Sequence, residues 1–350
     1  MNFLARQVRK SVNIAKTLLS LDQNTRRWNA LRNAYRGQRV FLIGNGPSLN
    51  ETPLFLLKGE LTLCFNRFHL MHERLSWSPH FYMCIDPAVL PEMAPEINQH
   101  APLYRYVCVH SLHAGAIIKR DNVLLMHPVA RVPYFSWRLP LFASGGTVAY
   151  PGLQMLFFSG FSTIYLVGVD QNYVIHETAT PTTGIRVESQ HDDDPNHFDP
   201  RYFGKGRTYH QPVEATRLRM TRAFTRVRDI AAERGIVIKN AGAGGQLEIF
   251  DRVDLHSLFA FSRDQEYKLL AESVSDACRP EKLRTYMEDG RVEQDLAPDI
   301  SDGVLLVERE VGKKWIPRLI TRYVPFGPIR GRYLFVRREE RRALVARHFE

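Results

Sequence analysis

An apolar run that stops abruptly at a glycine-rich turn is the feature of this sequence that most constrains its fold. The run Val40–Ile43 leads directly into Gly44-Asn45-Gly46-Pro47-Ser48, a pattern typical of a buried strand that turns into a helix. Pro47 suits the first helical position and Ser48 can cap the helix, which would leave backbone N–H groups free to bind an anion. The turn has neither the Gly-Lys-Ser/Thr of a Walker A loop nor the third glycine of a Rossmann fingerprint, so an ordinary strand-to-helix turn is the alternative.

The composition is that of an ordinary globular protein. The chain has 350 residues, of which 44% are hydrophobic and 24% are charged. It contains no run of about 18 apolar residues and no signal-peptide pattern, which predicts a cytoplasmic protein. Its four cysteines form no C-x-x-C pair, so we expect buried thiols rather than disulfides or a zinc site.

The formal net charge of +10 is concentrated at the two ends of the chain. Residues 1–40 contain nine Lys or Arg and one Asp, and residues 311–350 contain eleven Lys or Arg and three Glu. Residues 3–21 also place apolar side chains at helical spacing, which predicts an amphipathic basic helix. Basic ends suit an anionic membrane surface, although packing on the chain's own domain or homo-oligomer formation fits equally well. No nucleic acid is expected as a partner, because the chain has no zinc-finger spacing and no aromatic RNP-type strand.

Short apolar runs alternate with helical patterns through the middle of the chain, which predicts a mostly parallel sheet with crossover helices. The predicted helices span 25–36, 148–159 and 213–234, and the predicted strands span 40–43, 61–65, 81–85, 103–109, 123–126, 163–170 and 236–240. Ligands of such sheets bind beyond the carboxyl ends of the strands. The polar residues at these ends are Asn45, Asn66, Asp86, Ser144 and Asp170.

A long polar segment follows the sheet pattern at residues 174–212. It is rich in His, Asp, Pro and Gly, and so long an irregular stretch predicts an ordered active-site loop. Its acidic run Asp192-Asp193-Asp194 is either a set of hydrated loop acids or a magnesium site for diphosphate transfer. Beyond this segment the pattern predicts a helix around 263–289 and β structure within 303–336.

The sequence therefore predicts three regions. Residues 1–36 form a basic helical region, residues 37–258 a catalytic domain, and residues 259–350 a C-terminal appendage for membrane, acceptor or oligomer contacts.

Five ordered motifs within residues 25–258 resemble one family. The motifs are Gly44–Leu49, Cys64–Phe68, Ser144–Thr147, Tyr165–Asp170 and the stretch from Tyr202 through His210. Together they resemble the 6-hydroxymethylpterin diphosphokinase-like family, whose relatives include the catalytic domain of motility accessory factor glycosyltransferases. That domain is similar to the bacterial sialyltransferases of glycosyltransferase family 42. The resemblance implies an α/β domain with a GT-A-like, single Rossmann-type, mostly parallel sheet flanked by helices, followed by a smaller C-terminal α+β appendage.

The resemblance also implies an activity and a binding site. It implies a glycosyltransferase that uses a CMP-activated acidic sugar, such as sialic acid, another nonulosonic acid or Kdo, without a metal or any further cofactor. The glycine-rich turn and Asn66 would hold the cytidine monophosphate, and the Ser144 turn would contact phosphate or the sugar carboxylate. The implied donor-binding residues are Gly44, Asn45, Gly46, Ser48, Asn66, Ser144, Gly145, Gly146, Thr147, Asp170, Gln171, Tyr173 and Arg207.

The catalytic histidine of this family precedes a long helix, a position matched here by His210. It would take the proton of the acceptor hydroxyl, while Tyr202 and Tyr209 would hydrogen-bond the phosphate oxygens. His197 and Asp86 are competing candidates for the base. A helix-capping role is the alternative for His210.

Two positions depart from the family pattern. Asp86 stands where the family has an asparagine after the third strand, and no arginine precedes Ser144-Gly145. The negative charge of the donor would therefore be met by Arg207, Lys205 or Arg201.

Two other functions stay open on the sequence alone. A magnesium-dependent ATP pyrophosphokinase would use carboxylates such as Asp86, Asp170 and Asp192–Asp194, and a non-catalytic scaffold would use the basic ends at a membrane. The preferred partners are a CMP-sugar donor and a glycan or lipid-linked glycan acceptor, at the inner face of the cytoplasmic membrane of a bacterium.

Overall fold

The computed structural model of the protein describes residues 22–87, 89–131, 134–211 and 213–262, the isolated positions 11, 12, 15, 265, 266, 268, 269 and 272, and the segments 304–308, 323–329 and 332–337. The helices expected over 3–21 and 263–289 therefore lie almost entirely outside the described residues.

The described elements follow one another along the chain in a regular alternation. The α-helices are α1 (Gln23–Leu31), α2 (Leu90–His100), α3 (Ala149–Phe158) and α4 (Glu214–Arg234). The strands are β1 (Arg39–Ile43), β2 (Thr62–Phe65), β3 (Phe81–Cys84), β4 (Tyr106–His110), β5 (Val123–Arg131), β6 (Leu141–Ser144), β7 (Thr163–Val167), β8 (Thr180–Pro181), β9 (Arg186–Glu188), β10 (Thr208–His210), β11 (Val237–Asn240), β12 (Val304–Glu308), β13 (Tyr323–Ile329) and β14 (Arg332–Arg337).

An eight-stranded sheet forms the centre of the protein. Its strands lie in the order β11-β7-β1-β2-β3-β4-β5-β6, and every neighbouring pair is parallel. This confirms the expected α/β class with a mostly parallel sheet flanked by helices. The chain runs outward from β1 to β6 and then returns through α3 to β7, on the other side of β1. The strand order therefore reverses between β1 and β7, where open parallel sheets commonly bind ligands.

Two hydrophobic layers sandwich the sheet. Because side chains alternate along a strand, Phe41 and Ile43 of β1 enter one layer and Val40 and Leu42 enter the other. The first layer is completed by α2 and the Leu54–Leu57 turn, and the second by α1, α3 and α4. Burial on both faces explains why the sheet strands appear in the sequence as continuous apolar runs.

Two elements depart from the pattern predicted by the sequence. The helix α2 was not predicted, because Pro91 and Pro95 interrupt the helical pattern of its sequence. Pro91 lies in the first turn, where a missing N–H is tolerated. The strand expected over 103–109 begins only at Tyr106, because residues 101–103 form a 3-10 turn.

Two small antiparallel sheets lie outside the central sheet. The strands β8, β9 and β10 pair within the polar segment, so this segment is an ordered element, as expected. The strands β12, β14 and β13 form the other sheet, which confirms the β structure expected within 303–336, and β13 lies beside the Pro47–Glu51 turn. None of the described helices has both the length and the apolar character that a membrane crossing requires.

The expectation of buried thiols is confirmed for three cysteines. Cys64, Cys84 and Cys108 are buried and free, one on each of the adjacent strands β2, β3 and β4. Burial raises the pKa of Cys84 to about 12, so this thiol stays protonated at neutral pH. Cys278 lies outside the described residues.

The turn after β1 packs directly on the carboxyl end of β7. The Gly44 N–H donates to the Val167 carbonyl at 2.8 Å, and the Gly46 N–H donates to the Gly168 carbonyl at 2.8 Å. A Cβ atom on Gly44 would collide with the Gly168 carbonyl oxygen. Close backbone approach therefore requires glycine at this position.

We expect Gly44→Ala to lower the free energy of unfolding by about 1–3 kcal/mol, because the added methyl group would force the two loops apart. The matched control is Gly115→Ala, whose Cβ would enter open space and whose effect should stay within about 0.5 kcal/mol. Urea unfolding of both variants measures the difference. Equal stabilities of the two variants would contradict the packing described for the β1–β7 junction.

Candidate functional site

A cleft of about 830 Å³ opens along the carboxyl edge of the central sheet. The structure brings all five polar strand-end residues to its wall. These residues are Asn45, Asn66, Asp86, Ser144 and Asp170. The other wall is formed by the segment 174–211, called the lid loop below, and by the first turns of α4. The cleft is therefore the place where most of the sequence motifs meet.

The glycine-rich turn differs from the expected anion-binding turn. The helix after Gly46 is a five-residue 3-10 helix, Pro47–Glu51, and its N-cap is Gly46 rather than Ser48. The Ser48 backbone N–H donates to Asp170 Oδ2 at 2.8 Å, and the Ser48 hydroxyl donates to Asp170 Oδ1. The Gly44 and Gly46 N–H groups are bound to the carboxyl end of β7 and the residue after it, so three N–H groups of this turn, those of Gly44, Gly46 and Ser48, are used inside the protein.

Asp170 is the carboxylate that closes the β1–β7 junction. It is 8% exposed, and its carboxyl group lies so close to Gly46 that a Cβ atom there would collide with it. Burial raises the pKa of Asp170, although the two hydrogen bonds from Ser48 partly oppose the shift. Asp170 therefore holds the glycine-rich turn against the carboxyl end of β7 through the hydrogen bonds that it accepts from Ser48.

Two asparagines on the wall beside this junction carry unused acceptors. The Asn45 side-chain NH₂ donates to the Phe65 carbonyl at 3.1 Å and to the Tyr202 hydroxyl at 3.1 Å. The Oδ1 atoms of Asn45 and Asn66 are buried and have no donor of good geometry in the described part of the chain. Asn66 also has a φ of 48°, a left-handed conformation that asparagine tolerates. Buried acceptors without donors are costly, so they suit a ligand that brings N–H or O–H groups.

The turn between β6 and α3 is the better candidate for an anion site. Within the described residues, no partner is found for the backbone N–H groups of residues 145–148. They precede α3, a ten-residue helix whose residues are all buried, and the positive end of a helix favours an anion. Gly145 packs on Tyr150, and Gly146, with φ of 82°, packs on the Arg219 side chain.

Arginines reach the cleft from positions that the sequence did not single out. Arg186 of β9 and Arg217 and Arg219 of α4 line it, and none has an acidic partner among the described residues. The Arg219 side chain lies over the turn between β6 and α3, at Gly146. Cationic groups at this turn would stabilise a phosphate or a carboxylate.

The cations expected to meet the donor lie elsewhere. Arg207 pairs with Glu92 on α2, and Arg201 pairs with Asp199 at 2.7 Å and with Glu73 at 3.1 Å. Neither arginine lines the cleft, and neither does Lys205. The pairs with Glu92 and Glu73 instead fasten the lid loop to the body of the protein, and the pair with Asp199 lies within the loop.

The lid loop brings an oriented histidine to the cleft. The His197 Nδ1 atom lies 2.8 Å from Asp194 Oδ2, whose side chain is 1% exposed against 18% for His197. The imidazole stacks on the Tyr202 ring with centroids 3.7 Å apart and planes 2° apart. Burial alone would raise the pKa of Asp194, but His197 and backbone N–H donors outweigh it and lower the pKa. The ionised Asp194 therefore favours a proton on Nδ1 and leaves Nε2 as an acceptor.

The remaining sequence candidates differ in how firmly they are held. His210 ends β10, where it pairs with Arg186 of β9; its side chain lines the cleft and has no hydrogen-bond partner among the described residues. Asp86 also lines the cleft and is exposed. Gln171 and Tyr173 line it next to Asp170, and burial raises the pKa of Tyr173 to about 12.

The acidic run of the lid loop is divided among three separate partners. Asp192 accepts from the Lys205 N–H at 2.9 Å, Asp193 binds His176, and Asp194 binds His197. In the described part of the chain, no group of three or more His, Cys, Asp or Glu is placed to hold a metal ion. A single magnesium site would need the three carboxylates to point at one position, and here each of them binds a different partner.

Sequence reasoning missed the partners of these aspartates. Asp194 and His197 stand three residues apart, a spacing that could have indicated the pair. His176 and Arg219 had no such signal, because their neighbours come from distant parts of the chain.

Comparison with known proteins gives this chain no relative. No family model, no curated protein and no solved structure matches it.

We expect Asp170→Asn to change the pH dependence of stability in a defined direction. Because the folded-state pKa of Asp170 is raised, its ionisation costs stability. That cost is absent below the unfolded-state pKa and complete above the folded-state pKa. The stability of the asparagine variant relative to the natural protein should therefore rise as the pH increases from about 4, the usual pKa of an aspartate, through the raised folded-state pKa. Urea unfolding at several pH values measures this, and parallel pH curves would rule the assignment out.

Proposed function

We propose that the protein is a glycosyltransferase that moves an acidic sugar from a CMP-activated donor to a bacterial surface-glycan acceptor. The observation that carries the proposal is an arginine-lined cleft at the carboxyl edge of a parallel sheet, containing a histidine oriented by a buried carboxylate. The motif resemblance supports the donor class, namely CMP-linked sialic acid, another nonulosonic acid or Kdo. No cofactor beyond the donor substrate is proposed.

The donor would lie across the two sides of the cleft. The free acceptors of Asn45 and Asn66 can receive hydrogen bonds from the nucleoside, which carries an amino group and ribose hydroxyls. The phosphate would meet the N–H groups of residues 145–148 and the Arg219 guanidinium. The glycine-rich turn would then support the site mainly by position, since the N–H groups of Gly44, Gly46 and Ser48 are occupied.

His197 is the base that the geometry favours. The acceptor hydroxyl would give its proton to His197 Nε2 while its oxygen forms a bond to the anomeric carbon of the sugar. The bond from that carbon to the phosphate oxygen breaks, and CMP leaves with the electron pair. Arg219 and the backbone donors would stabilise the charge that develops on the phosphate. His197 has a buried carboxylate and a stacked ring to hold it, whereas His210 has neither.

The distribution of charge along the chain supports a location at the membrane surface. The basic ends of the chain, residues 1–40 and 311–350, would bring the enzyme to the anionic inner face of the cytoplasmic membrane. A glycan or lipid-linked glycan acceptor would be available at that surface. If the protein self-associates through the region 259–350, that contact would involve the basic segment 311–350 as well.

The nucleotide specificity of the cleft is the first prediction of this proposal. We expect calorimetry to show binding of CMP and of at least one CMP-sugar with equal affinity in Mg²⁺ and in EDTA, because arginines rather than a metal meet the phosphate. UDP-sugars, GDP-sugars and ATP serve as controls. Magnesium-dependent ATP binding without a response to CMP would instead indicate the pyrophosphokinase alternative. Failure of every nucleotide to bind would favour the non-catalytic scaffold.

The choice between the two histidines is the second prediction. We expect His197→Gln to lower the rate of CMP release from the bound CMP-sugar by about 10²- to 10⁴-fold, the usual contribution of a general base. His210→Gln should lower it by less than about tenfold, and both variants should keep the CMP affinity of the natural protein. The opposite ranking of the two rates would move the base to His210.

A further inference from the structure

A second aspartate–histidine pair lies behind the cleft wall, and the proposed reaction does not use it. The His176 Nε2 atom lies 2.8 Å from Asp193 Oδ1, and His176 Nδ1 is hydrogen-bonded to the Tyr209 hydroxyl. The Thr178 hydroxyl donates to Asp193 Oδ2 at 2.7 Å. His176 is 3% exposed and Tyr209 is 7% exposed. Tyr209 lines the cleft, whereas His176 and Asp193 do not.

These contacts form a chain from a carboxylate through a buried imidazole to the hydroxyl of a tyrosine that lines the cleft. When His176 is neutral, Asp193 holds its proton on Nε2, so Nδ1 accepts the proton of the Tyr209 hydroxyl. The tyrosine proton then points away from the cleft. When His176 is protonated, Nδ1 becomes a donor to the Tyr209 oxygen, and the tyrosine proton is released to donate elsewhere.

The neighbouring charges keep the outer members of the chain in defined states. Burial raises the pKa of Tyr209 and the charges of Asp194 and Asp193 raise it further, so the phenol keeps its proton. Burial opposes ionisation of Asp193, but the hydrogen bonds from Thr178 and His176 and the nearby His191 together lower its pKa. The ring of Tyr209 is fixed by stacking on Phe203, with centroids 4.4 Å apart. The imidazole therefore bridges an ionised carboxylate and a neutral phenol.

We propose that Tyr209, His176 and Asp193 form a proton-linked anion-binding element. Protonation of His176 turns the Tyr209 hydroxyl into a donor to a phosphate group in the cleft, so binding of the phosphate is accompanied by uptake of a proton on His176. His176 is a positioning residue in this scheme, since it acts through Tyr209. The inference rests on the proposed function only in taking the natural ligand to be a phosphate ester.

The test measures proton uptake on binding of CMP and of inorganic phosphate. Calorimetry at about pH 7 in two buffers of different ionisation enthalpy gives the number of protons bound per ligand. We expect the natural protein to take up a larger fraction of a proton than His176→Gln. The affinity of that variant for CMP should fall by about tenfold at low pH, the equivalent of one hydrogen bond, and by less at high pH. Tyr209→Phe, which keeps the ring stack, should lose the same uptake.

Two further variants complete the design. His256→Gln is the control, because the His256 side chain is 41% exposed and does not line the cleft, and its proton uptake should equal that of the natural protein. Asp193→Asn should reduce the uptake, and its partly exposed side chain makes it the variant to use if His176→Gln does not fold.

Each outcome separates this inference from the donor assignment. CMP binding with equal uptake in the natural protein and in His176→Gln overturns the inference and leaves the glycosyltransferase proposal standing. Uptake that depends on His176 but occurs with another nucleotide and not with CMP supports the inference and rejects the donor class. Absence of binding by inorganic phosphate and by every nucleotide rejects both.

Discussion

The packing of the turn after β1 on the carboxyl end of β7 is the contact on which the rest of the structure depends. Gly44 and Gly46 allow the two loops to touch, and Ser48 then reaches the buried carboxylate of Asp170, with its backbone N–H at 2.8 Å. These contacts occupy the point at which the strand order reverses, where a ligand would commonly bind. The open part of the carboxyl edge therefore extends from Asn45 towards β6, and the cleft follows it.

The lid loop supplies the groups that the sheet does not contain. A parallel sheet offers backbone ends and short polar side chains at its carboxyl edge, whereas His176 and His197, each held by a carboxylate, belong to residues 174–211. Asp193 orients His176 and Asp194 orients His197. Fixed partners reduce the number of orientations of each imidazole, which is the pre-organisation that proton transfer needs. The ion pairs of Arg201 with Glu73 and of Arg207 with Glu92 hold this loop on the body of the protein.

The sequence predicted the sheet and much of one wall of the cleft, because both depend on local signals. Buried strands appear as apolar runs, and the residues that follow them meet at one edge whatever the details of packing. The glycine-rich turn was expected to offer free N–H groups to an anion, but those of Gly44, Gly46 and Ser48 are bound inside the protein. Glycine serves close backbone packing as well as ligand approach, and the sequence alone does not distinguish the two. Arg219 could not be placed from sequence, because its position over Gly146 depends on how α4 crosses the sheet. The same holds for His176, whose partners lie 17 and 33 residues away.

The central claim is that the cleft between the carboxyl edge and the lid loop is a nucleotide-sugar site. A crystal structure of the protein grown with saturating CMP tests it most directly. The account predicts CMP in this cleft, with its phosphate at residues 145–148 beside Arg219 and its nucleoside towards Asn45 and Asn66. CMP bound elsewhere on the protein, or a cleft without CMP under those conditions, would contradict it.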